Sequence, residues 1–429
     1  MPHFKRLKAI SGKLAVISGV LLFPLTVAAE EVWTLESSVQ QVVKISPRIL
    51  AADAEIDARK GALSQAGAWP NPTIEIGGSE ALGLEDGKGG SDLTSFSVSQ
   101  PIPLGRLIYQ RKQATAELQV ANHKRFYQQL LQENLASRRF HDLQLTEAGL
   151  NLAKEQLSFA NRYQKGKKDS DRLVRYLSKL DKKRLNIIRE IAKQNVASAE
   201  GAYSEALSNF RVALNLPQDS SSKIAPLEAV QIPKALLELL DLQNESHAAI
   251  AAAKHNKNAA EASVSLARNK RFPDPSLTLY REKDFLNGQR QNFTGVMVNF
   301  TVPIWDFNNG NISRAKADAN RAGHELEALE RDLQATLRQT HLHLGHVIEQ
   351  AEHYRSRILG PAKDIFTLTQ KSFATGEVKI LSLVDANDTY FEARKRYLEL
   401  LYESWVEAAD LRLAAGLSLK TDAKTIIGE

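Results

Sequence analysis

The sequence contains one internal duplication, with an offset of about 200 residues between its two copies. Four landmarks recur in the same order: residues 69–73 (WPNPT) and 272–276 (FPDPS), residues 96–103 (FSVSQPIP) and 296–303 (VMVNFTVP), Gly166 and Gly376, and residues 210–213 (FRVA) and 411–414 (LRLA). Short motifs that return in one order at a nearly constant spacing indicate a repeated structural unit. The chain must therefore fold as two similar halves.

Each half contains one segment with the patterns of a helix followed by two strands. The predicted helices span 35–68 and 235–270, and each ends where an X-Pro pair forces extended backbone. The predicted strands span 73–77, 94–102, 276–281 and 293–302. Their side chains alternate with period two, so we expect Val98 and Val298 on an apolar face and Ser97 and Asn299 on the opposite face.

Very long helices follow the strands. Residues 107–164 contain no proline, and a helix of that length measures about 87 Å, longer than an ordinary globular domain. In the second half, apolar residues at spacings of three and four run from Leu326 to Tyr354, which is typical of a coiled coil. Gly166 and Gly376 mark turns into return helices at 171–214 and 380–415. The sequence thus predicts two long helical hairpins, each with a two-stranded ribbon at its far end.

The N-terminus has the layout of an export signal. Four of the six net positive charges (Lys5, Arg6, Lys8, Lys13) precede an apolar run that ends in small residues at 27–29. The alternative is an N-terminal membrane anchor, although the run is shorter than a spanning helix requires. The expected division is a signal peptide at 1–29, a first repeat at 30–217, a linker at 218–234, a second repeat at 235–417 and a tail at 418–429.

Composition excludes several classes of function. The chain has no cysteine, which excludes disulfides, thiolate metal sites and cysteine nucleophiles. Once the N-terminal charges are set aside, the remaining net charge is too small to indicate binding of nucleic acid. No catalytic constellation or cofactor motif stands out, so we expect neither an enzyme nor a bound cofactor.

Four strands in one chain cannot close a barrel, and unpaired strand edges are not tolerated inside a bilayer. An exported chain with amphipathic ribbons can form a closed barrel if several copies each contribute strands to it. The pattern therefore indicates a mainly helical α+β protein, in which copies share a transmembrane β-barrel that stands on a tube of coiled-coil helices. The alternative is a soluble periplasmic coiled-coil protein whose ribbons pair within a small domain.

The duplicated layout resembles the TolC family of outer-membrane efflux channels. The resemblance rests on the helix stops at Asn71-Pro72 and Asp274-Pro275 and on residues 376–386 (GEVKILSLVDA). Residues 99–106 (SQPIPLGR) and 302–312 (VPIWDFNNGNI) are similar to the cobalt-zinc-cadmium efflux subgroup. Many relatives carry a lipid on an N-terminal cysteine, which this chain lacks.

The resemblance implies a homotrimer whose twelve-stranded β-barrel contacts outer-membrane lipid and whose helices form a periplasmic tunnel. It also implies docking to a periplasmic adaptor protein and, through it, to an inner-membrane pump of the resistance-nodulation-division type. The implied function is passive export from a Gram-negative cell, with divalent heavy-metal cations as the substrate. Export of drugs or other small organic molecules is the alternative.

Two groups of residues are candidate sites. His341, His343, His346 and His353 cluster in sequence, but helical spacing separates them, so His343 and His346 form at most a weak metal pair. The two hairpin turns differ in charge, because basic residues surround Gly166 and acidic residues surround Gly376. We expect these turns to dock the adaptor.

By resemblance, an acidic selectivity ring lies on the second repeat. Asp385 matches one acidic position of the family, and Ser382 occupies the other, so the ring is weaker than in relatives with two acidic positions. Arg175 is the counterpart of Asp385 in the first repeat and is expected to hold the gate closed. The alternative is that these residues are solvated surface charges.

Overall fold

A computed structural model describes residues 32–78, 94–165, 178–220, 223–230, 235–286 and 289–419. The predicted signal peptide, Gly166, Arg175 and most of the predicted tail lie outside these ranges. The first repeat contains α1 (Leu35–Ile45), α2 (Pro47–Ala66), β1 (Thr73–Gly78), β2 (Thr94–Pro101), α3 (Arg106–Lys165) and α4 (Lys179–Ala213). The second contains α5 (Leu236–Ser246), α6 (Ala248–Asn269), β3 (Ser276–Leu286), β4 (Gln289–Asn299), α7 (Asn309–Tyr354), α8 (Gly360–Thr375) and α9 (Ile380–Ala415). The predicted order of elements and the duplicated hairpins are confirmed.

The first helical segment of each repeat is broken, where the sequence predicted one continuous helix. Ser46, with ψ of 121°, separates α1 from α2, and Pro47 begins α2 at a position where its missing N–H costs nothing. His247, with ψ of 117°, separates α5 from α6 at the equivalent place. Its Nδ1 accepts a hydrogen bond of 3.2 Å from the backbone N–H of Ala249, which caps α6.

The long helices match the prediction closely. Helix α3 runs for 60 residues without a break, a length of about 90 Å. In the second repeat a π-helical turn, Arg355–Leu359, joins α7 to α8. Pro361 follows this turn and has no N–H to donate to the carbonyl of Arg357, so the regular α-helical ladder cannot continue there.

Each repeat has its own apolar core, built from equivalent helices. Phe210 in α4 is completely buried in a cluster with Val39, Phe140 and Leu143. Leu411 in α9, its counterpart in the second repeat, is completely buried with Leu239, Leu337 and Leu344. Burying a side chain of this size contributes about 1.5–3 kcal/mol, so these clusters fix the packing of the hairpins.

The segment between the repeats lies across the helices and is held by polar contacts. The side-chain amide of Gln144 donates to the carbonyls of Ala225 (2.7 Å) and Pro226 (2.9 Å). The indole N–H of Trp405 donates to the carbonyl of Glu228 at 2.7 Å. The linker is therefore attached to both repeats.

The four strands form one antiparallel sheet in the order β1-β2-β3-β4, and the central pair β2–β3 joins the two repeats. Strands β3 and β4 extend further toward their shared turn than predicted, because their pairing continues to Leu286 and Gln289. The predicted end of β4 at residue 302 is wrong. The ladder stops at Asn299, which pairs with Ser276, since the preceding Pro275 has no N–H to donate.

Candidate functional site

The strand register separates the two faces of the sheet by polarity. One row across all four strands consists of Ile74, Val98, Leu279 and Val296. The neighbouring row on the opposite face contains Ser99 and Thr278, whose hydroxyls hydrogen-bond at 2.9 Å, and Asn299 donates to Thr278 at 3.2 Å. Because paired residues share a face, Val98 and Val298 lie on the apolar face, and Ser97 and Asn299 lie on the polar face.

The apolar face is open in the single chain. Exposed fractions reach 61% for Ile74, 78% for Ile76, 64% for Val296 and 60% for Val298. Among the described residues, β1 and β4 each pair on one side only, so both edges of the sheet keep free backbone groups. A continuous exposed apolar surface with two open edges indicates an incomplete structure that requires a partner.

Within the described ranges, no helix is both long enough and apolar enough to cross a bilayer.

The sheet meets the long helices at a junction built from both repeats. The carboxylate of Asp274, in the second Pro-x-Pro motif, accepts from Arg106 Nε at 2.8 Å and from the backbone N–H of Leu104 at 3.3 Å. Gly105 has a φ of 80°, which favours glycine, and so turns the chain from β2 into α3. Sequence reasoning identified both motifs but not this contact, which joins residues far apart in the chain.

The opposite end of the second hairpin is the turn at Gly376. Its φ is 83°, and it terminates α8 in the left-handed region, as the sequence predicted. The backbone N–H of Gly376 donates to Phe373 O at 3.1 Å, and that of Glu377 donates to Ser372 O at 2.9 Å, which are the paired bonds of a Schellman cap. Gly166, the corresponding turn residue of the first hairpin, lies outside the described residues.

An apolar cluster holds the ends of both hairpins together beside this turn. Phe159 from α3 and Leu185 from α4 pack with Phe373, Ile380 and Leu383 from the second hairpin. The start of α9 is therefore fixed against the first repeat.

The proposed gate residues lie on the first turns of α9. Ser382 and Asp385 are exposed, and the helical spacing places Asp388 and Glu392 along the same side. Partial burial raises the pKa of Asp388 above its ordinary value, and the charges of Asp385 and Glu392 raise it further against a hydrogen bond from Asn387. The structure thus contains a stripe of closely spaced carboxylates on α9. Arg175 lies outside the described residues.

The histidines singled out from sequence are not assembled into a metal centre. His343 Nδ1 lies 3.1 Å from Glu407 Oε1 of α9, and His346 is exposed on α7. The described ranges contain no group of three or more histidine, aspartate or glutamate side chains placed to hold one ion. The pairing of His343 with Glu407 could not be found from sequence, because no short motif connects the two positions.

The comparisons with known proteins agree with this architecture. The family model described as outer membrane efflux protein matches residues 239–417. The cobalt-zinc-cadmium resistance protein CzcC of Cupriavidus metallidurans is 25% identical over 395 residues, which cover 88% of each protein.

Solved structures match the fold over nearly the whole chain. The structure of CusC gives a TM-score of 0.72 at 18% identity and covers 90% of this chain and 92% of CusC. The open state of the MtrE outer membrane channel of Neisseria gonorrhoeae gives 0.71 at 18% identity and covers 91% of each chain. These relatives are channel proteins and not enzymes. Residues 239–417 therefore match the outer membrane efflux protein family, and the chain over most of its length is similar to CzcC and has the fold of outer-membrane channels.

Proposed function

We propose that three copies of this chain form the exit duct of a tripartite efflux system, which passively exports divalent heavy-metal cations. An adaptor protein in the periplasm and an inner-membrane pump of the resistance-nodulation-division type complete the assembly. The duct carries out no bond chemistry. It provides a wet passage through the periplasm and the outer membrane.

The sheet is the observation that carries this proposal. Its apolar face is exposed, its polar face carries hydroxyl and amide groups, and β1 and β4 have free edges within the described ranges. If β4 of one copy pairs with β1 of the next, three four-stranded sheets close into a barrel of about twelve strands, and no edge remains. The apolar face then meets lipid and the polar face surrounds the lumen.

The choice of metal cations rests on the relationship to CzcC, whose name assigns it to cobalt-zinc-cadmium resistance. The experiment compares cells that lack this protein with complemented cells, each loaded with cobalt, zinc or cadmium. We expect the deletion to raise the retained metal and complementation to restore export. Normal metal export, together with increased retention of organic drugs in the deletion, would identify a drug duct instead.

Asp385 is proposed as the selectivity residue. Three copies of this exposed carboxylate around a trimer axis would form a negative ring, which attracts cations and repels anions. Because the ring faces water, its effect should weaken as salt screens it, over a Debye length of about 10 Å at 0.1 M. Arg175 is proposed to hold the neighbouring helix closed.

We expect Asp385→Ala to lower the cation selectivity of the purified trimer in planar bilayers, by removing three negative charges from the mouth. Reversal potentials measured across a salt gradient give the selectivity directly. Asp385→Glu keeps the charge and is the matched control. Equal reversal potentials for the native protein and Asp385→Ala, with an intact trimer, would rule out the ring.

A further inference from the structure

A buried histidine contacts two side chains that hold the linker between the repeats. His141 of α3 is only 2% exposed. Its ring stacks on Trp405 of α9, with centroids 4.6 Å apart and an angle of 15° between the planes. Its Nδ1 lies 2.7 Å from Gln144 Oε1. Both Trp405 and Gln144 donate to carbonyls of the linker, so His141 lies where the two repeats and the linker meet.

The hydrogen bonds fix the protonation state of this ring. The amide nitrogen of Gln144 donates to the carbonyls of Ala225 and Pro226, so its Oε1 is the acceptor toward His141. Nδ1 of His141 therefore carries a proton, and Nε2 of the neutral ring has a lone pair. Nε2 is buried and has no hydrogen-bond partner among the described residues. A second proton there would create a buried N–H donor without an acceptor, which is costly.

The environment of the ring disfavours that second proton. Burial lowers the pKa of His141 to about 4, the bond to Gln144 acts in the opposite direction, and the charge of Arg412 lowers the pKa again. The indole face of Trp405 attracts a cation, but the effect of burial is larger. Glu133, the carboxylate that acts on Arg412, already accepts three hydrogen bonds, from Gln129, Ser418 and the backbone N–H of Leu419.

The elements around His141 carry further titratable or charged groups: Arg139, Asp142, Glu205, Tyr402, Asp410 and Glu228. Asp410 is paired with Arg138 of α3, and Tyr402 stays neutral in acid. Burial raises the pKa of Asp142, so its ionised form is disfavoured and its contribution to stability increases as the pH falls. Asp142 therefore acts in the opposite direction to His141.

We propose that His141 is an acid-sensitive latch for residues 223–230 of the linker, which separate from α3 and α9 when Nε2 is protonated. The charged ring must move toward water, because no acceptor for Nε2 lies within reach in the described structure. This movement breaks the bond to Gln144 and the stack on Trp405, and both of these side chains donate to the linker. The latch goes beyond the proposed function, because it acts on the linker whichever substrate the channel exports.

Proton linkage gives the size of the effect. A solvated imidazole has its ordinary pKa of 6.5, and the buried ring has a pKa of about 4, so the released state takes up a proton first as the pH falls. Attachment of the linker is complete above pH 6.5 and weakens as the pH falls toward 4. Between about pH 7.5 and pH 5, the ratio of released to attached linker should rise roughly 30-fold.

The test follows the mobility of a nitroxide label on the linker, by electron paramagnetic resonance, in the full-length protein purified in detergent. The natural chain has no cysteine, so Glu228→Cys provides a single attachment site. The Glu228 side chain is exposed, and Trp405 donates to the backbone carbonyl at this position, which the substitution keeps. We expect the ratio of mobile to immobile label to rise roughly 30-fold from about pH 7.5 to pH 5, and to return when the pH is restored.

Two variants of the labelled protein remove the titrating group. His141→Asn keeps an N–H donor for Gln144, and His141→Phe keeps an aromatic ring against Trp405, so in each the ratio should vary little with pH. His324→Asn, at a side chain that is 81% exposed, is the matched control and should respond as the native protein does. An unchanged ratio in the native labelled protein over this pH range would overturn the proposal. An equal rise in a folded His141→Asn or His141→Phe protein would also overturn it.

Discussion

Arginine in place of Val298 should prevent stable assembly in the outer membrane, whereas arginine in place of Ser97 should be tolerated. Val298 is 60% exposed on the apolar face of the sheet, and Ser97 lies on the polar face. If the apolar face meets lipid, arginine near the bilayer midplane costs about 2–4 kcal/mol per chain. A trimer contains three such arginines, so the free-energy cost applies three times and the amount of assembled protein should fall strongly.

The measurement is the amount of trimer in isolated outer membranes, resolved on non-denaturing gels. Val98→Arg, on the same face in the other repeat, should behave as Val298→Arg does. Asn299→Arg is a second polar-face control, although it also removes the hydrogen bond to Thr278, worth about 0.5–1.5 kcal/mol. Equal amounts of trimer for all four variants would contradict a spanning sheet.

Valine in place of Gly376 should disable efflux while leaving the trimer in the membrane. The φ of 83° at this turn is a strained conformation for a β-branched residue and costs about 1–3 kcal/mol. The strain should distort the tip between α8 and α9, where we propose that the adaptor docks. Efflux by cells and adaptor recovered with the chemically cross-linked channel are the two readouts.

Two substitutions separate the conformation of the turn from the loss of a small residue. Gly376→Asn should retain most activity, because asparagine tolerates the left-handed region. Gly345→Ala places a methyl group on α7 that meets no atom within 4 Å beyond its chain neighbours and the backbone of its own helix, and should have no effect. Normal efflux and adaptor recovery in Gly376→Val would contradict the docking role.

The sequence predicted the features that depend on local periodicity. The two faces of the sheet follow from alternation within each strand, and the length of α3 follows from the absence of proline over residues 107–164. The end of β4 could not be read from β4 itself. It is set by Ser276 and Pro275 on the partner strand, and the pairing register is a property of two segments.

The helix break at His247 shows the same limit. Pro47 is a visible signal for the break after α1, but no proline precedes α6. His247 packs against the end of α9, where a Cβ on Gly416 would lie 2.8 Å from its ring. The break therefore depends on a contact between segments that are distant in the chain. Such a contact cannot be predicted from the local sequence pattern.

For the same reason, the sequence predicted some features of the candidate sites and not others. Gly376 was found because a helix-ending glycine is a local signal, and its left-handed φ bears this out. The contacts of Arg106 with Asp274, of His343 with Glu407 and of His141 with Trp405 all join separate helices or motifs. A single sequence does not show which residues, far apart in the chain, are in contact in the fold.

Cross-linking between edge strands tests the shared sheet most directly. The natural chain has no cysteine, so one cysteine at Glu75 in β1 and one at Asn299 in β4 would be the only thiols. Within one chain these strands are three spacings apart, about 14 Å, which a reagent spanning about 8 Å cannot bridge. We expect a covalent trimer in outer membranes treated with this reagent, and neither cysteine alone should produce it. A double-cysteine protein that remains monomeric would contradict a sheet shared between copies.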